Sequence, residues 1–255
     1  MIPKIIHYCW FGKKPLPKLA LKCIASWKKF LPDYEIKEWN EDNFDVNQIP
    51  YTSEAYACKK YAFVSDYARF KIMYEYGGIY FDTDVEVIKP LDDIISAGPF
   101  FGMEMIQELQ AINTYNPALD FACAPGLGFA CAPGLGLCKE MTDYYKTENF
   151  ILSNGCYNLK TVVQIISEFL KQKGFIPSQH PVKFNEINFY PPEYFNPKSF
   201  ENKQILLTEN THTIHHYTAS WFGPKEHFLH FFTQLIGSKN IIKLWNFYMK
   251  YLKRL

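Results

Sequence analysis

No stretch of this 255-residue sequence reaches 18 consecutive apolar residues, and no basic leader with an apolar run and a cleavage site opens it. The expectation is a cytoplasmic chain without a membrane span. Its seven cysteines, Cys9, Cys23, Cys58, Cys123, Cys131, Cys138 and Cys156, are odd in number and contain no C-x-x-C pair. A disulfide framework or a zinc site is therefore not what organises the fold, and the thiols read as small buried residues in a reducing compartment. A dominant charge is missing too: 27 Lys and Arg against 26 Asp and Glu leave a formal +1, which argues against a nucleic-acid binder. Aromatics are plentiful, at 18% with 22 Phe and 18 Tyr, enough for a thick core and for ring-stacking surfaces. The length suits one α/β domain with a small helical addition.

The stretch from Val64 to Asp92 organises the rest. At about 100° per residue, Phe63, Tyr67, Phe70 and Tyr74 form one helical stripe, and Ser65 and Arg69 share a neighbouring face. Asp66 lies between them, and a carboxylate bordering an apolar stripe needs a counter-ion, for which Arg69 at i+3 is placed. Gly77-Gly78 supplies the positive φ that ends a helix. A strand is expected over Ile79–Ile88, with Phe81, Thr83 and Val85 on one face and Tyr80, Asp82, Asp84 and Glu86 on the other. Two carboxylates so placed repel, and a divalent cation, a raised pKa or full solvation relieves them. D-x-D alone is a common tripeptide and also fits a solvated strand end. Here it closes an apolar strand leaving a double glycine, where open α/β sheets form ligand sites.

Ser65-Asp66-x-x-Arg69 followed by Gly77-Gly78-x-Tyr80-x-Asp82-x-Asp84 resembles the D-x-D sugar-nucleotide glycosyltransferases of family 32, the capsular and yeast mannosyltransferase group. It is more distantly similar to the glucosyltransferase domains of the large clostridial toxins. The resemblance implies a GT-A type α/β fold, a Rossmann-like open mixed sheet with flanking helices and a small C-terminal helical addition. It implies a retaining, metal-dependent hexosyltransferase that takes a UDP-sugar as donor and a glycan or lipid-linked oligosaccharide as acceptor, in bacterial surface polysaccharide synthesis. By the same resemblance Asp82, Asp84 and His215 hold Mn²⁺, with Mg²⁺ as the alternative, and Asp82 also meets the ribose or a metal-bound water. Asp66 and Arg69 grip the sugar hydroxyls, Ser65 and Tyr80 border the donor, Trp10 stacks on uracil, and Ser220-Trp221 approaches the diphosphate. Arg69 is no base, since guanidinium does not deprotonate. A metal-dependent sugar-nucleotide hydrolase and a non-catalytic carbohydrate-binding protein are the rival readings.

The remaining segments fit around this unit. Ile2–Gly12 reads as the first, central strand, with His7 structural; residues 17–31 as an amphipathic helix; Tyr34–Trp39 as a second strand. The alternation of strand and helix implies a mostly parallel sheet. Lys59-Lys60 is a basic edge or solvated surface. A short helix begins near Pro90, and Phe100–Glu104 is a strand. The octapeptide Phe121–Gly128 is repeated unchanged as Phe129–Gly136. Neither copy matches a phosphate-binding glycine loop, and a small-residue loop beside the cleft is expected from one of them. Helices follow at Leu137–Tyr145 and Leu159–Lys173, and the prolines of Tyr190–Pro197 predict extended chain without helix. In Thr213–Trp221 the adjacent His215 and His216 point to opposite faces of a strand, so one at most serves a given site. The resemblance favours His215, with His216 as the alternative. Residues 1–238 form the expected catalytic domain. The segment 239–255, with five basic and no acidic residues among aromatics, is a helix that packs on the body or lies at the inner membrane surface.

Overall fold

The computed structural model describes residues 1–104, 120–198 and 204–218. Ten strands are described: β1 (Ile5–Cys9), β2 (Glu35–Trp39), β3 (Gly78–Tyr80), β4 (Val85–Val87), β5 (Phe100–Glu104), β6 (Ala122–Cys123), β7 (Phe129–Cys131), β8 (Val182–Phe184), β9 (Ile187–Tyr190) and β10 (Thr213–His215). The described helices are α1 (Lys18–Phe30), α2 (Pro50–Ala57), α3 (Tyr61–Tyr76), α4 (Asp92–Ser96), α5 (Gly136–Thr147), α6 (Val162–Gln172) and α7 (Pro192–Phe195).

The main sheet runs β2-β1-β3-β7-β5-β9-β8, with β6 paired to β5. Pairing is parallel across β2-β1-β3 and β5-β9 and antiparallel at β3-β7, β7-β5, β5-β6 and β9-β8, so the sheet is open and mixed as the resemblance implies but not mostly parallel as the strand-helix alternation implied, because the strands after β3 include antiparallel neighbours. β1 is interior but stands one place from the edge strand β2, not at the centre. Strand alternation sorts the core into two faces. Tyr80, Phe101, Phe129 and Cys131 pack with Phe63, Tyr67, Phe70 and α5 residues such as Met141 and Tyr145. Ile79, Phe81, Phe100 and Ala130 pack on the other side with Trp27 of α1.

The single strand expected over Ile79–Ile88 is two. β3 stays in the main sheet, whereas β4 pairs antiparallel with β10 in a separate two-stranded sheet. Between them Val85 N–H donates to the Asp82 carbonyl (3.1 Å), a turn through the D-x-D itself. Two causes are visible. α1 captures β4, with Trp27 Nε1 donating to the Val85 carbonyl (2.7 Å) and Ser26 Oγ accepting from Val87 N–H (2.9 Å). Asp82 N–H is taken by the Gly126 carbonyl (2.9 Å), outside any ladder. Alternation therefore does not set the directions of Asp82 and Asp84.

The prolines at 191 and 192 do not exclude helix either: Pro191 precedes and Pro192 opens the single turn α7, positions where a missing N–H is tolerated. The α6 helix starts on a capping box in which Thr161 and Gln164 satisfy each other's backbone N–H groups.

Candidate functional site

The α3 helix delivers the site. It buries Phe63, Tyr67 and Phe70 together with two charged residues, Asp66 and Arg69. It ends at Gly77 (φ +61°), whose N–H returns to the Met73 carbonyl. Gly78 follows at φ +101°, where an added Cβ would stand 2.5 Å from the Ile5 carbonyl oxygen. No other side chain fits so close to β1. His7 locks this corner from below. Its Nε2–H donates to the Gly77 carbonyl (2.9 Å) and its Nδ1 accepts from Trp39 Nε1 (3.0 Å), so the ring is neutral and structural, as the sequence suggested. Burial pushes its pKa down to about 4.

Arg69 is the hub. One guanidinium nitrogen, Nη2, meets Asp66 Oδ1 at 3.1 Å and Asp82 Oδ1 at 3.4 Å, while Nε donates to the Ser65 carbonyl (3.2 Å). The guanidinium carbon lies 5.0 Å over the Tyr80 ring, and the Tyr80 hydroxyl donates to Asp82 Oδ1 (3.2 Å). Sequence spacing thus foresaw the Asp66–Arg69 pair, and the fold adds Tyr80 and Asp82 to it. A single cation serves two carboxylates. Burial pushes Asp66 up to about 7 against the pull of Arg69, with Asp82 adding to the rise. Arg69 is itself held above its ordinary value, because Asp82, Tyr80 and Asp66 outweigh the cost of burying its charge. Ser65 Oγ turns back to the Tyr61 carbonyl (3.2 Å).

Asp84 has different partners. Its Oδ2 accepts from the N–H and the hydroxyl of Thr218, each at 2.8 Å, and its Oδ1 stands 3.2 Å from His215 Nε2. Burial works to raise its pKa, but His215 and Thr218 hold it well below the carboxylate range. His215 is raised to about 9, since Asp84, with Glu104 and Asp82 adding, overcomes the desolvation that lowers it. The two histidines separate as strand geometry requires: His216 Nε2 goes to Glu86 Oε2 (2.8 Å), which also takes Lys22 (2.9 Å).

Other placements complete the inventory. Trp10 is half-buried just beyond β1, its Nε1 donating to the Lys14 carbonyl (2.6 Å). Ser220, Trp221 and the segment 239–255 lie outside the described residues. Sequence reasoning missed two contributors, Glu104 and Thr218, and left open which octapeptide copy would supply a third. Glu104 ends β5 with Oε1 3.9 Å from His215 Nδ1, and an acidic residue closing an apolar strand was the available signal. Thr218 carried none. The loop on Asp82 comes from the first octapeptide copy, which the repeat announced without saying which copy would be used.

For a divalent cation, the fit rests on Asp84 and His215. Two ligands at right angles on a small divalent ion stand about 3 Å apart, close to the 3.2 Å separating their facing atoms. His215 Nδ1 is buried with no hydrogen-bond partner. Among the described residues no group of three or more His, Cys, Asp and Glu side chains is gathered to hold a metal, and Asp82 turns to Arg69. Mg²⁺-type sites commonly take one or two carboxylates and complete the shell with substrate phosphates, so a two-residue holder suits an ion that arrives with a diphosphate. A metal ion bound here would displace the His215 proton, and the neutral imidazole left beside a carboxylate favours Mn²⁺ over Mg²⁺.

The structure thus joins an open mixed α/β sheet to a D-x-D turn held by a buried arginine. Comparison with known proteins agrees over part of the chain. Residues 17–101 match the family described as "Glycosyltransferase sugar-binding region containing DXD motif". An uncharacterized glycosyltransferase of Acanthamoeba polyphaga mimivirus is 36% identical over 107 residues, covering 40% of this chain and 43% of that one. Inositol phosphoceramide mannosyltransferase 3 of Schizosaccharomyces pombe is 33% identical over 98 residues, 37% and 27% of the two chains. The chain thus spans less than half the length of these relatives. Among solved structures, the PaToxG glycosyltransferase is similar at TM-score 0.46 and 20% identity, over 68% of this chain and 70% of that one. A glycosyltransferase involved in glycosylation of the major capsid of PBCV-1 gives 0.47 and 13%, over 86% and 95%. Both scores are low and add no weight to what the topology already shows.

Proposed function

We propose that this protein is a glycosyltransferase that moves a hexose from a UDP-sugar to a glycan or lipid-linked acceptor, with retention at the anomeric carbon. The observation that carries the reading is the buried Arg69, held between Asp66 and Asp82 at the corner where α3 turns into β3, beside the Asp84–His215 pair. Leaving-group departure puts negative charge on a β-phosphate and oxocarbenium character on the sugar. A bound Mn²⁺ would supply Lewis-acid stabilisation of that charge. Asp84 and His215 would hold the ion, and Lys198, whose Nζ donates to the His216 carbonyl (3.0 Å), brings a fixed cation to the same edge. Asp66, Arg69 and Asp82 would orient the sugar hydroxyls, and Trp10 would cover the base.

Asp66 and Asp82 share Arg69, and Asp84 is committed to His215 and Thr218. Front-face displacement therefore supports retention better than attack by any of these carboxylates. Bacterial surface polysaccharide synthesis is the role the sequence resemblance supports. Because one relative is named for mannosyl transfer to inositol phosphoceramide, GDP-mannose belongs among the donors tried. Calorimetric titration with UDP-glucose, UDP-galactose and GDP-mannose, in Mn²⁺ and then in EDTA, tests the proposal. Metal-dependent binding of one donor is expected. Equal binding in EDTA would sink the metal-assisted scheme, and full-rate sugar release without acceptor would favour the hydrolase.

A further inference from the structure

Two identical octapeptides lie side by side in this chain, and the fold treats them differently. In the second, Phe129–Gly136, β7 fills the middle of the main sheet and the tail runs out to the exposed start of α5. A Cβ added at Gly134 or at Gly136 would meet nothing within 4 Å. In the first, Phe121–Gly128, every residue is buried. After the short β6 the chain turns over the D-x-D, with Leu127 N–H returning to the Ala124 carbonyl (3.2 Å). The loop is tied to β5 at both ends, by Ala124 N–H to the Gly102 carbonyl (3.1 Å) and Gly102 N–H to the Gly128 carbonyl (3.1 Å).

Gly126 sits at the tip. Its carbonyl accepts Asp82 N–H (2.9 Å). A Cβ here would stand 2.0 Å from Asp82 Oδ2, 2.8 Å from Asp82 Cγ and 3.4 Å from Arg69 Nη1. Its backbone lies outside the left-handed region, so an alanine would strain no dihedral. The obstacle is the carboxylate alone. At the equivalent position of the other copy, Gly134, the space is open but the backbone stands at φ +84°, so that glycine answers to its dihedral and the one at 126 to the carboxylate.

We propose that Gly126 is a positioning residue of the sugar site: its missing side chain leaves the room in which the Asp82 carboxylate turns to Arg69 and Tyr80, and its carbonyl fixes the Asp82 backbone. The proposal rests on the donor-sugar reading given above. On this account the two copies divide the work, the second completing the sheet and the first forming a wall of the site. An alanine at 126 would rotate the carboxylate away from Arg69 without disturbing Asp84 and His215. Recognition of the sugar is then lost while recognition of the bare nucleotide is kept.

The test uses the full chain with Mn²⁺ and the sugar nucleotide that the wild type binds, with UDP or GDP as the sugar-free probe. Gly126→Ala is expected to weaken the sugar nucleotide by about tenfold to a hundredfold, with unchanged affinity for the bare nucleotide and an unchanged thermal midpoint. Gly136→Ala, at a glycine with open space and no positive φ, is the control and is expected to match wild type in all three. In an Asp82→Ala background, where the obstructing atoms are gone, Gly126→Ala is expected to cost nothing further. If Gly126→Ala lowers the thermal midpoint, the Asp82→Ala/Gly126→Ala protein is expected to recover it, and failure to recover overturns the proposal. So does wild-type affinity in Gly126→Ala, or an equal loss on top of Asp82→Ala. A wild type that binds no sugar nucleotide overturns the functional reading first, and that outcome is visible before any variant is made.

Discussion

Replacing Arg69 with methionine isolates what one shared cation does for this fold. The side chain is 5% exposed and its partner Asp66 9%. At 3.1 Å and an effective dielectric of about 20, the attraction to Asp66 alone is about 5 kcal/mol, and breaking such a buried pair by removing one partner typically costs about 3–5 kcal/mol. That is the loss expected for Arg69→Met at pH 8. The loss depends on pH, and its sign follows from Asp66, whose carboxyl is raised to about 7 in the folded chain, above its ordinary 3.8. A group so shifted contributes stability below its unfolded pKa, and that contribution is lost as pH rises through the folded value. Removing Arg69 takes away the influence that lowers Asp66, so its carboxyl rises further and the variant gains more than wild type on acidification. The deficit is expected to shrink by at least about 1 kcal/mol between pH 8 and pH 5. Urea denaturation at both pH values measures this. With a slope near about 3 kcal/mol/M, the pH 8 loss appears as a midpoint shift of about 1 M or more. The double variant Arg69→Met/Asp66→Asn, which removes both ions of the pair, is expected to recover most of the deficit. A double variant as unstable as the single one would refute the charge argument and assign the effect to packing.

The other expectations concern the histidines. His7 is held down to about 4 from an ordinary 6.5, so the unfolded chain takes its proton first and stability falls as pH drops through that window. His7→Gln is expected to remove on the order of 3 kcal/mol of the acid sensitivity between pH 7 and pH 4, read as the difference between denaturation curves of the two proteins across that range. His215→Gln is expected to weaken Mn²⁺-dependent nucleotide binding by at least about tenfold. His216→Gln, which leaves Glu86 paired with Lys22, is expected to change binding little and stability by about 1 kcal/mol or less. Equal losses in calorimetric affinity for the two would contradict the separation of the strand's two faces.

What was legible in the sequence is what local spacing determines. Asp66 and Arg69 are three residues apart on one helix, Gly77-Gly78 follows that helix directly, and two histidines adjacent on a strand must face apart. Each of these relations survives in the structure because no distant segment can alter it. The break between β3 and β4 is of the other kind. It depends on Gly126 accepting from Asp82, on Thr218 donating to Asp84 and on Trp27 capturing Val85, partners 44, 134 and 58 positions away. A periodicity of two carries no trace of them. The octapeptides make the same point within one molecule, since identical sequence yields a sheet strand with an open tail in one place and a closed loop over a carboxylate in the other.

The break changes what the two aspartates mean. Alternation would have made Asp82 and Asp84 a matched pair projecting from one face, their repulsion relieved by a cation between them. Instead Asp82 follows the main sheet and is matched to Arg69, while Asp84 precedes the β4–β10 sheet and is matched to His215 and Thr218. Asp82 shares its cation with Asp66 and Asp84 is paired with His215, and on the proposed reading the D-x-D turn is the covalent link between a site suited to hydroxyl groups and a site suited to a cation with phosphates. A sugar nucleotide joins those same two chemistries through one glycosidic oxygen. On that reading the three-residue turn would hold the two sites at the short spacing such a donor requires, which a longer connection would not.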